Sequence, residues 1–290
     1  MGRYWKTDEH GFLQNDARAD LIQPEFTELL REVVAIYERH VGNLMHSLYV
    51  TGDLARGLAV PGQAELYVFA VFEPSADPEA VDDTWLDDET EHLTLSYKGL
   101  LSDVVLETWA YAYVFEEPER FSPGAFTIKT ESVCLWGNDL SPELPDYDVK
   151  KEAVRQAIAN ENIVQIGHDL TYTDIQLKQT QSPAVIASWC AWISKRLLRA
   201  AWSLAAFDQA VHSRDLDLAA EVFSARYPDH AAHIQQAWRW SQHPAEDKTE
   251  VLAYLENFGS WLRAEAERWL DQYNPERHLD FEFDDDNLLE

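Results

Sequence analysis

The sequence predicts an α+β N-terminal domain with a mixed sheet and helices, followed by an all-α helical domain. Residues 48–72 read as strand, glycine turn, short helix and strand, which is typical of the first class. Beyond residue 148 the apolar side chains recur with a helical period of about 3.6 residues. The segment at residues 141–148 is rich in proline and acid and reads as a linker. We therefore expect domains at residues 1–145 and 146–290, the second ending in an acidic tail.

The predicted N-terminal domain contains one long helix and several strands. An apolar stripe from Pro24 to Val41, with proline near its start, predicts a helix that packs on the sheet. The acidic segment at residues 73–92 contains no lysine or arginine, so we interpret it as a solvated loop or a short surface helix. Alternating apolar side chains predict strands at residues 48–50, 65–72, 101–109 and 126–135.

The predicted helical domain is dominated by one long amphipathic helix. The Ser-Pro pair at residues 182–183 is a favourable helix start, and the apolar stripe continues from there to Phe207. Three charges interrupt this stretch, at Lys195, Arg196 and Arg199, which favours a buried helix over a membrane span. The tail at residues 280–290 is expected to be mobile. Further helices are predicted at residues 216–227, 229–240 and 246–273.

The composition indicates a folded protein and argues against long nucleic acid as a partner. An apolar content of 46% and 11 tryptophans support a substantial packed core. The net charge of −29 leaves no excess of basic residues to neutralise a phosphate backbone. We interpret the acidity as a matter of solubility, with attraction of a small cationic substrate as the alternative. The N-terminus lacks the pattern of a secretory signal, and Cys134 and Cys190 lack a CxxC partner, so we expect a cytoplasmic protein with reduced cysteines.

The glycine turn at residues 51–57 has the layout of a phosphate cradle. Gly52 allows the backbone to approach a phosphate without a Cβ in the way, and the helix start at Asp53 presents N–H groups to an anion or a capping side chain. Arg56 lies on the same turn. On the second strand, Glu65 and Tyr67 share one face and point toward this turn, where two side chains can hold a metal.

This pattern resembles the signature of the nucleotidyltransferase superfamily, which contains DNA polymerase beta and the aminoglycoside nucleotidyltransferases. The family signature is Gly-Ser-x-x-Arg-Gly, followed by Asp-x-Asp on the next strand. In this chain residues 52–57 read Gly-Asp-Leu-Ala-Arg-Gly, and residues 65–67 read Glu-Leu-Tyr. A second stretch, residues 129–140, is similar to a bacterial branch of the family. The resemblance covers residues 40–140 and, more loosely, the helical half.

The resemblance implies two Mg²⁺ ions held by carboxylates and a nucleoside triphosphate substrate such as ATP. It assigns carboxylate positions to Glu65 and Tyr67, and a third to the strand at residues 101–109. Either Glu107 or Asp103 can occupy that third position, since the sequence does not fix the strand register. We take Glu65 and Glu107 as the predicted metal ligands, with Asp103 as the alternative to Glu107. The predicted nucleotide-binding residues are Gly52, Asp53, Arg56, Gly57 and, on the long helix, Lys195, which can also pair with the abundant acids.

Three differences from the family signature change the predicted chemistry. Glu65 keeps the negative charge with one more methylene. Tyr67 carries a phenol, a group whose ordinary pKa is about 10 and which has little affinity for Mg²⁺ at neutral pH. Asp53 replaces the serine and, as a helix N-cap, competes with a phosphate for the N–H groups of the turn. Arg56 then pairs with Asp53 or Glu65, and magnesium binding is predicted to be weak or absent.

Three functional hypotheses follow. The first is a nucleotidyltransferase-fold protein with a degenerate two-metal site, a pseudoenzyme that binds or regulates. The second is an active Mg²⁺-dependent enzyme that moves a nucleoside monophosphate from a nucleoside triphosphate to a hydroxyl of a small acceptor, such as an aminoglycoside-like cation. The third is a protein-interaction partner that acts through tryptophans of the helical domain. No membrane partner is expected, and the oligomeric state stays open.

Overall fold

The computed structural model describes residues 2–77, 81–115 and 121–279, and it divides into two compact units. Lys6–Tyr147 form the α+β unit, and residues 148–279 together with residues 2–5 form the helical unit. The sequence-based boundary, between residues 145 and 146, lies two residues before the structural one. Residues 2–5, which the sequence assigned to the N-terminal domain, belong to the helical unit. The predicted mobile tail at residues 280–290 lies outside the described residues, as do residues 78–80 of the acidic segment.

The α+β unit contains a mixed sheet with helices, and the helical unit contains no strand among its described residues, so the predicted fold class is confirmed. Two short 3₁₀ turns, Ala19–Leu21 and Pro24–Phe26, precede the first helix. The helices of the α+β unit are α1 (Thr27–Val41), α2 (Gly52–Ala55), α3 (Trp85–Ser96), α4 (Tyr111–Phe115) and α5 (Pro123–Glu131). The strands are β1 (Met45–Thr51), β2 (Ala64–Phe72), β3 (Leu101–Trp109) and β4 (Ser132–Gly137).

The four strands form one mixed sheet in the order β3-β2-β1-β4. β1 pairs antiparallel with β2 and β4, whereas β2 and β3 run parallel, as the crossover through α3 between them requires. The two faces of β2 are both apolar but pack against different partners. Leu66 and Val68 lie in the core that contains α1, while Phe69 and Val71 pack with residues of α5 on the opposite face.

Tyr37 fixes α1 to the centre of the sheet. Its ring is fully buried, and its hydroxyl donates to the carbonyl oxygen of Glu107 at 2.9 Å and lies 3.3 Å from that of Val68. Burial raises the pKa of the Tyr37 hydroxyl far above its ordinary value, so it stays a hydrogen-bond donor. Because the two carbonyls belong to neighbouring strands, this residue ties one helix to the parallel pair β2 and β3.

The strand predicted at residues 126–135 is wrong over its first part. Residues 123–131 form α5, and only the following residues extend as β4. Ser122 is the N-cap of α5: its hydroxyl accepts from the backbone N–H of Ala125 at 3.0 Å, and Pro123 occupies the first turn. Strand preference is strongly context-dependent, and here the Ser-Pro helix start prevails over the alternating pattern.

The helical unit is built around one long buried helix. The helices are α6 (Val149–Ile158), α7 (Glu161–Val164), α8 (Ile166–Gln179), α9 (Pro183–Ala206), α10 (Leu216–Arg226), α11 (Ala231–Gln242), α12 (Lys248–Tyr254) and α13 (Ser260–Tyr273). A π-helical turn, Leu255–Gly259, joins the last two. The other seven of these helices all pack against α9. Within the described residues no helix has the length and apolar character needed to cross a membrane.

The glycine at the end of the β1–β2 turn gives a direct test of this fold. Gly57 has a φ of +72°, and a Cβ at this position would lie 2.7 Å from the carbonyl oxygen of Leu21. Gly52 has a similar φ of +76° but open space around it. We expect Gly52→Ala to cost about 1–2 kcal/mol of unfolding free energy from the left-handed backbone alone. Gly57→Ala carries the same strain and a steric overlap, so its cost should be larger.

Urea unfolding followed by tryptophan fluorescence measures these differences. Gly99→Ala is the matched control, because its backbone is not left-handed and an added Cβ meets no atom within 4 Å. Equal stabilities of the Gly57→Ala and Gly99→Ala variants would contradict the described turn.

Candidate functional site

The turn between β1 and β2 is shaped by a left-handed glycine next to open space. Gly52 follows the last residue of β1, and nothing lies within 4 Å of a Cβ built on it. Thr51 rather than Asp53 occupies the N-cap position of α2, so the predicted capping role of Asp53 is wrong. The Thr51 hydroxyl donates to the carbonyl of Glu131 at 2.9 Å, which joins the turn to α5. Asp53 lies in the first turn of α2 with 63% of its side chain exposed.

Arg56 at the end of α2 is a buried ion-pair residue. Its Nε lies 2.6 Å from Oδ2 of Asp16, and the two side chains are only 4% and 8% exposed. Its Nη1 lies 3.4 Å from Oδ1 of Asp53, as one of the sequence-based alternatives expected. Sequence reasoning missed Asp16, because a partner forty positions away in an irregular segment leaves no local pattern. The arginine of the signature therefore acts here as an internal anchor of the turn.

The strand register brings Glu107 close to Tyr67 and Asp103 close to Glu65. Glu65 is paired with Asp103 across the parallel strands, and Phe69 with Glu107. Tyr67, which pairs with Thr51 on the other side, donates its hydroxyl to Oε2 of Glu107 at 2.8 Å. The register thus distinguishes the two candidates on β3: Glu107 contacts the Tyr67 side chain, while Asp103 lies beside Glu65 and accepts from the backbone N–H of Val104.

Glu107 is surrounded by aromatic side chains on this face. Trp109 donates its indole N–H to the same Oε2 atom at 2.7 Å and stacks on Phe69, with ring centroids 3.6 Å apart. Tyr113 meets Trp109 edge-on at 5.2 Å. Burial, with a smaller contribution from the Glu107 charge, raises the pKa of Tyr113. Strand alternation puts Trp109 on the same face as Glu107, but the sequence does not show that its N–H reaches the carboxylate.

The surroundings of Glu107 do not fit a magnesium ion. Mg²⁺ requires oxygen lone pairs in a tight octahedron. At Glu107 the neighbouring groups are instead two hydrogen-bond donors, the hydroxyl of Tyr67 and the indole of Trp109, both directed at one carboxylate oxygen. Glu65 is paired with Asp103, four positions away from Glu107 along the sheet, so the predicted pair of metal ligands is spread along the strands. Within the described ranges there is no cluster of three or more potential metal-ligating side chains.

The basic residues of α9 belong to the helical unit. Arg196 pairs with Asp169 at 2.6 Å and with Glu161 at 3.1 Å, so this one of the three charges that interrupt the helix is paired inside its own unit. Lys195 is partly exposed on the same helix. Its contact with a triphosphate stays a prediction.

No protein-family model matches the chain, and no curated protein matches it. Among solved structures, the chain is similar to spectinomycin adenyltransferase AAD(9) from Enterococcus faecialis, determined with ATP and spectinomycin. The sequence identity is 14%, the match covers 79% of this chain and 97% of that chain, and the TM-score is 0.44. A likeness at this level says nothing about which residues of this chain bind or react.

The buried ion pair at the turn predicts a large stability effect. Replacing Arg56 by Gln leaves the buried carboxylate of Asp16 without its main counter-charge, so we expect a loss of about 3–5 kcal/mol of unfolding free energy. The control is Arg18→Gln, which removes an arginine that pairs with Asp20 where both side chains are more than 60% exposed. That change should cost about 0–1 kcal/mol. Chemical unfolding of both variants compares them, and a similar small loss in each would be inconsistent with a buried pair.

Proposed function

We propose that this chain is a nucleotidyltransferase-fold protein with a degenerate two-metal site, which binds or regulates rather than transfers a nucleotidyl group. The observation that carries the proposal is the hydrogen bond from Tyr67 to Glu107, reinforced by Trp109 at the same carboxylate oxygen. At the position where the family signature has its second aspartate, this chain has a donor that consumes a carboxylate lone pair.

These hydrogen bonds make the binding of a metal ion at Glu107 less favourable. A hydrogen bond to a charged group contributes about 1.5–3 kcal/mol, and an ion ligated by Oε2 of Glu107 has to displace two such bonds. The Tyr67 side chain lies beside Glu107 on this face, and its neutral phenol is a poor magnesium ligand. The remaining carboxylates, Glu65 and Asp103, lie at another level of the sheet and do not restore the bridging position.

The arginine of the turn is paired with the protein's own carboxylates. Arg56 is directed at Asp16 and Asp53, so its guanidinium group is already neutralised by carboxylates inside the protein. The exposed carboxylate of Asp53 beside Gly52 adds negative charge where a triphosphate would approach, in a chain whose net charge is −29. These features support a site that has kept the architecture of a cradle and lost its attraction for a nucleotide.

The second candidate function is an active enzyme, and one feature of the strand register supports it. Glu65 and Asp103 are cross-strand neighbours, so two carboxylates lie side by side near the start of β2. In that reading they hold one Mg²⁺ ion, and a nucleoside monophosphate moves from ATP or another nucleoside triphosphate to a hydroxyl of a small, cationic acceptor.

A protein-interaction role is the third candidate, and a row of aromatic side chains on α8 and α9 favours it. Tyr172 is 43% exposed and Trp192 is 37% exposed, and Trp189 lies between them with edge-on contacts of 5.5 and 5.6 Å. Exposed aromatic residues of this kind are common anchors of protein interfaces.

Calorimetric titration of ATP, with and without Mg²⁺, separates the first two readings. For the degenerate site we expect no magnesium-dependent ATP binding, and Glu65→Ala should leave the titration unchanged because no ion is held there. Tyr67→Asp is the matched gain-of-function variant: it supplies a carboxylate beside Glu107 and should create measurable Mg²⁺ binding. Tight, magnesium-dependent ATP binding by the unaltered protein, abolished by Glu65→Ala, would overturn the proposal in favour of the active enzyme.

A further inference from the structure

A separate open groove lies in the α+β unit, between the 3₁₀ turns, α1 and β4. Its volume is about 330 Å³, which is near the lower end of the range of small-molecule sites. None of the groups assigned above to the turn or to the Tyr67 face lines it. The lining residues are Ala19, Ile22, Thr27, Leu30, Arg31, Val34 and Leu135.

One face of α1 gives this groove a polar end and an apolar floor. Thr27 and Arg31 are one helical turn apart and therefore lie on the same side of the helix. Leu30 and Val34 of the same helix and Leu135 of β4 also line the groove. Thr27 is also the first residue of this 15-residue helix, where the helix dipole is positive.

Arg31 is a basic residue without an ion-pair partner among the described residues of an acid-rich chain. The protein has 52 acidic and 23 basic residues, and Arg39 on the same helix pairs with Glu89 at 2.6 Å. Arg31 makes no hydrogen bond or ion pair to any residue in the described part of the chain, although Glu28 lies one turn away. An exposed guanidinium group at the rim of an apolar groove is complementary to an anion with an apolar body.

We propose that this groove binds a small amphiphilic carboxylate. The carboxylate accepts hydrogen bonds from the guanidinium group of Arg31 and the hydroxyl of Thr27, and the hydrocarbon chain lies along Ile22, Val34 and Leu135. The planar guanidinium fork matches a carboxylate in a bidentate manner, and the apolar walls remove the chain from water. The groove volume limits the ligand to a short or medium chain.

Titration of the full-length protein with decanoate, followed by calorimetry, tests this proposal. The wild type should show saturable binding, and Arg31→Gln should weaken it by roughly tenfold or more, because it removes a charge-assisted hydrogen bond. Val34→Trp, which fills the groove, should abolish binding. Decyltrimethylammonium, which has the same chain with a cationic headgroup, should not bind at this site.

The control variant is Arg263→Gln on α13. Arg263 is also exposed and likewise makes no hydrogen bond or ion pair to the described residues, but it does not line the groove. Thermal unfolding of each variant shows whether it is folded. The proposal is overturned if decanoate gives no saturable binding to the wild type, if Arg31→Gln and Arg263→Gln have the same affinity, or if the cationic amphiphile binds as well as decanoate.

Discussion

The buried ion pair between Arg56 and Asp16 is the interaction on which the site region of this molecule depends. Arg56 ends α2, and Asp16 belongs to the N-terminal segment, whose backbone N–H at Asp16 donates to the carbonyl of Thr130 in α5. The pair therefore connects the glycine turn, the N-terminal segment and α5. Burying two charges carries a large desolvation cost, so such a pair is better understood as fixing one geometry than as adding net stability.

The turn is thus held by contacts within the protein, from Arg56 to Asp16 and from the Thr51 hydroxyl to the carbonyl of Glu131. The adjacent sheet face carries Glu65 and Tyr67 where the signature that the chain resembles has two aspartates. Where the signature has an aspartate, which can ligate a cation, Tyr67 provides a hydrogen-bond donor. Oε2 of Glu107 accepts hydrogen bonds from Tyr67 and from Trp109. In the proposed function, this contact on β2 sets the role of a carboxylate on β3: Glu107 accepts hydrogen bonds where the signature implies a metal ligand.

The sequence predicted the fold better than it predicted the contacts of the site. The bounds of β3 and the start of α9 agree with the structure because alternation and the Ser-Pro helix start are local signals. The same Ser-Pro signal occurs at residues 122–123, where it starts α5, but it was not used, and a strand was predicted over residues 126–135. The partner of Arg56 and the contact of Tyr67 with Glu107 depend on tertiary position and on strand register, which no local pattern records.

The central claim is that the Tyr67–Glu107 contact stands where a metal would bridge two carboxylates. A crystal structure of the protein soaked in manganese and ATP, with anomalous diffraction data, tests it most directly. The account predicts no anomalous peak next to Glu107, and a Tyr67 hydroxyl that still lies within hydrogen-bonding distance of its carboxylate. A manganese peak ligated by Glu107, with the Tyr67 side chain rotated away, would contradict it.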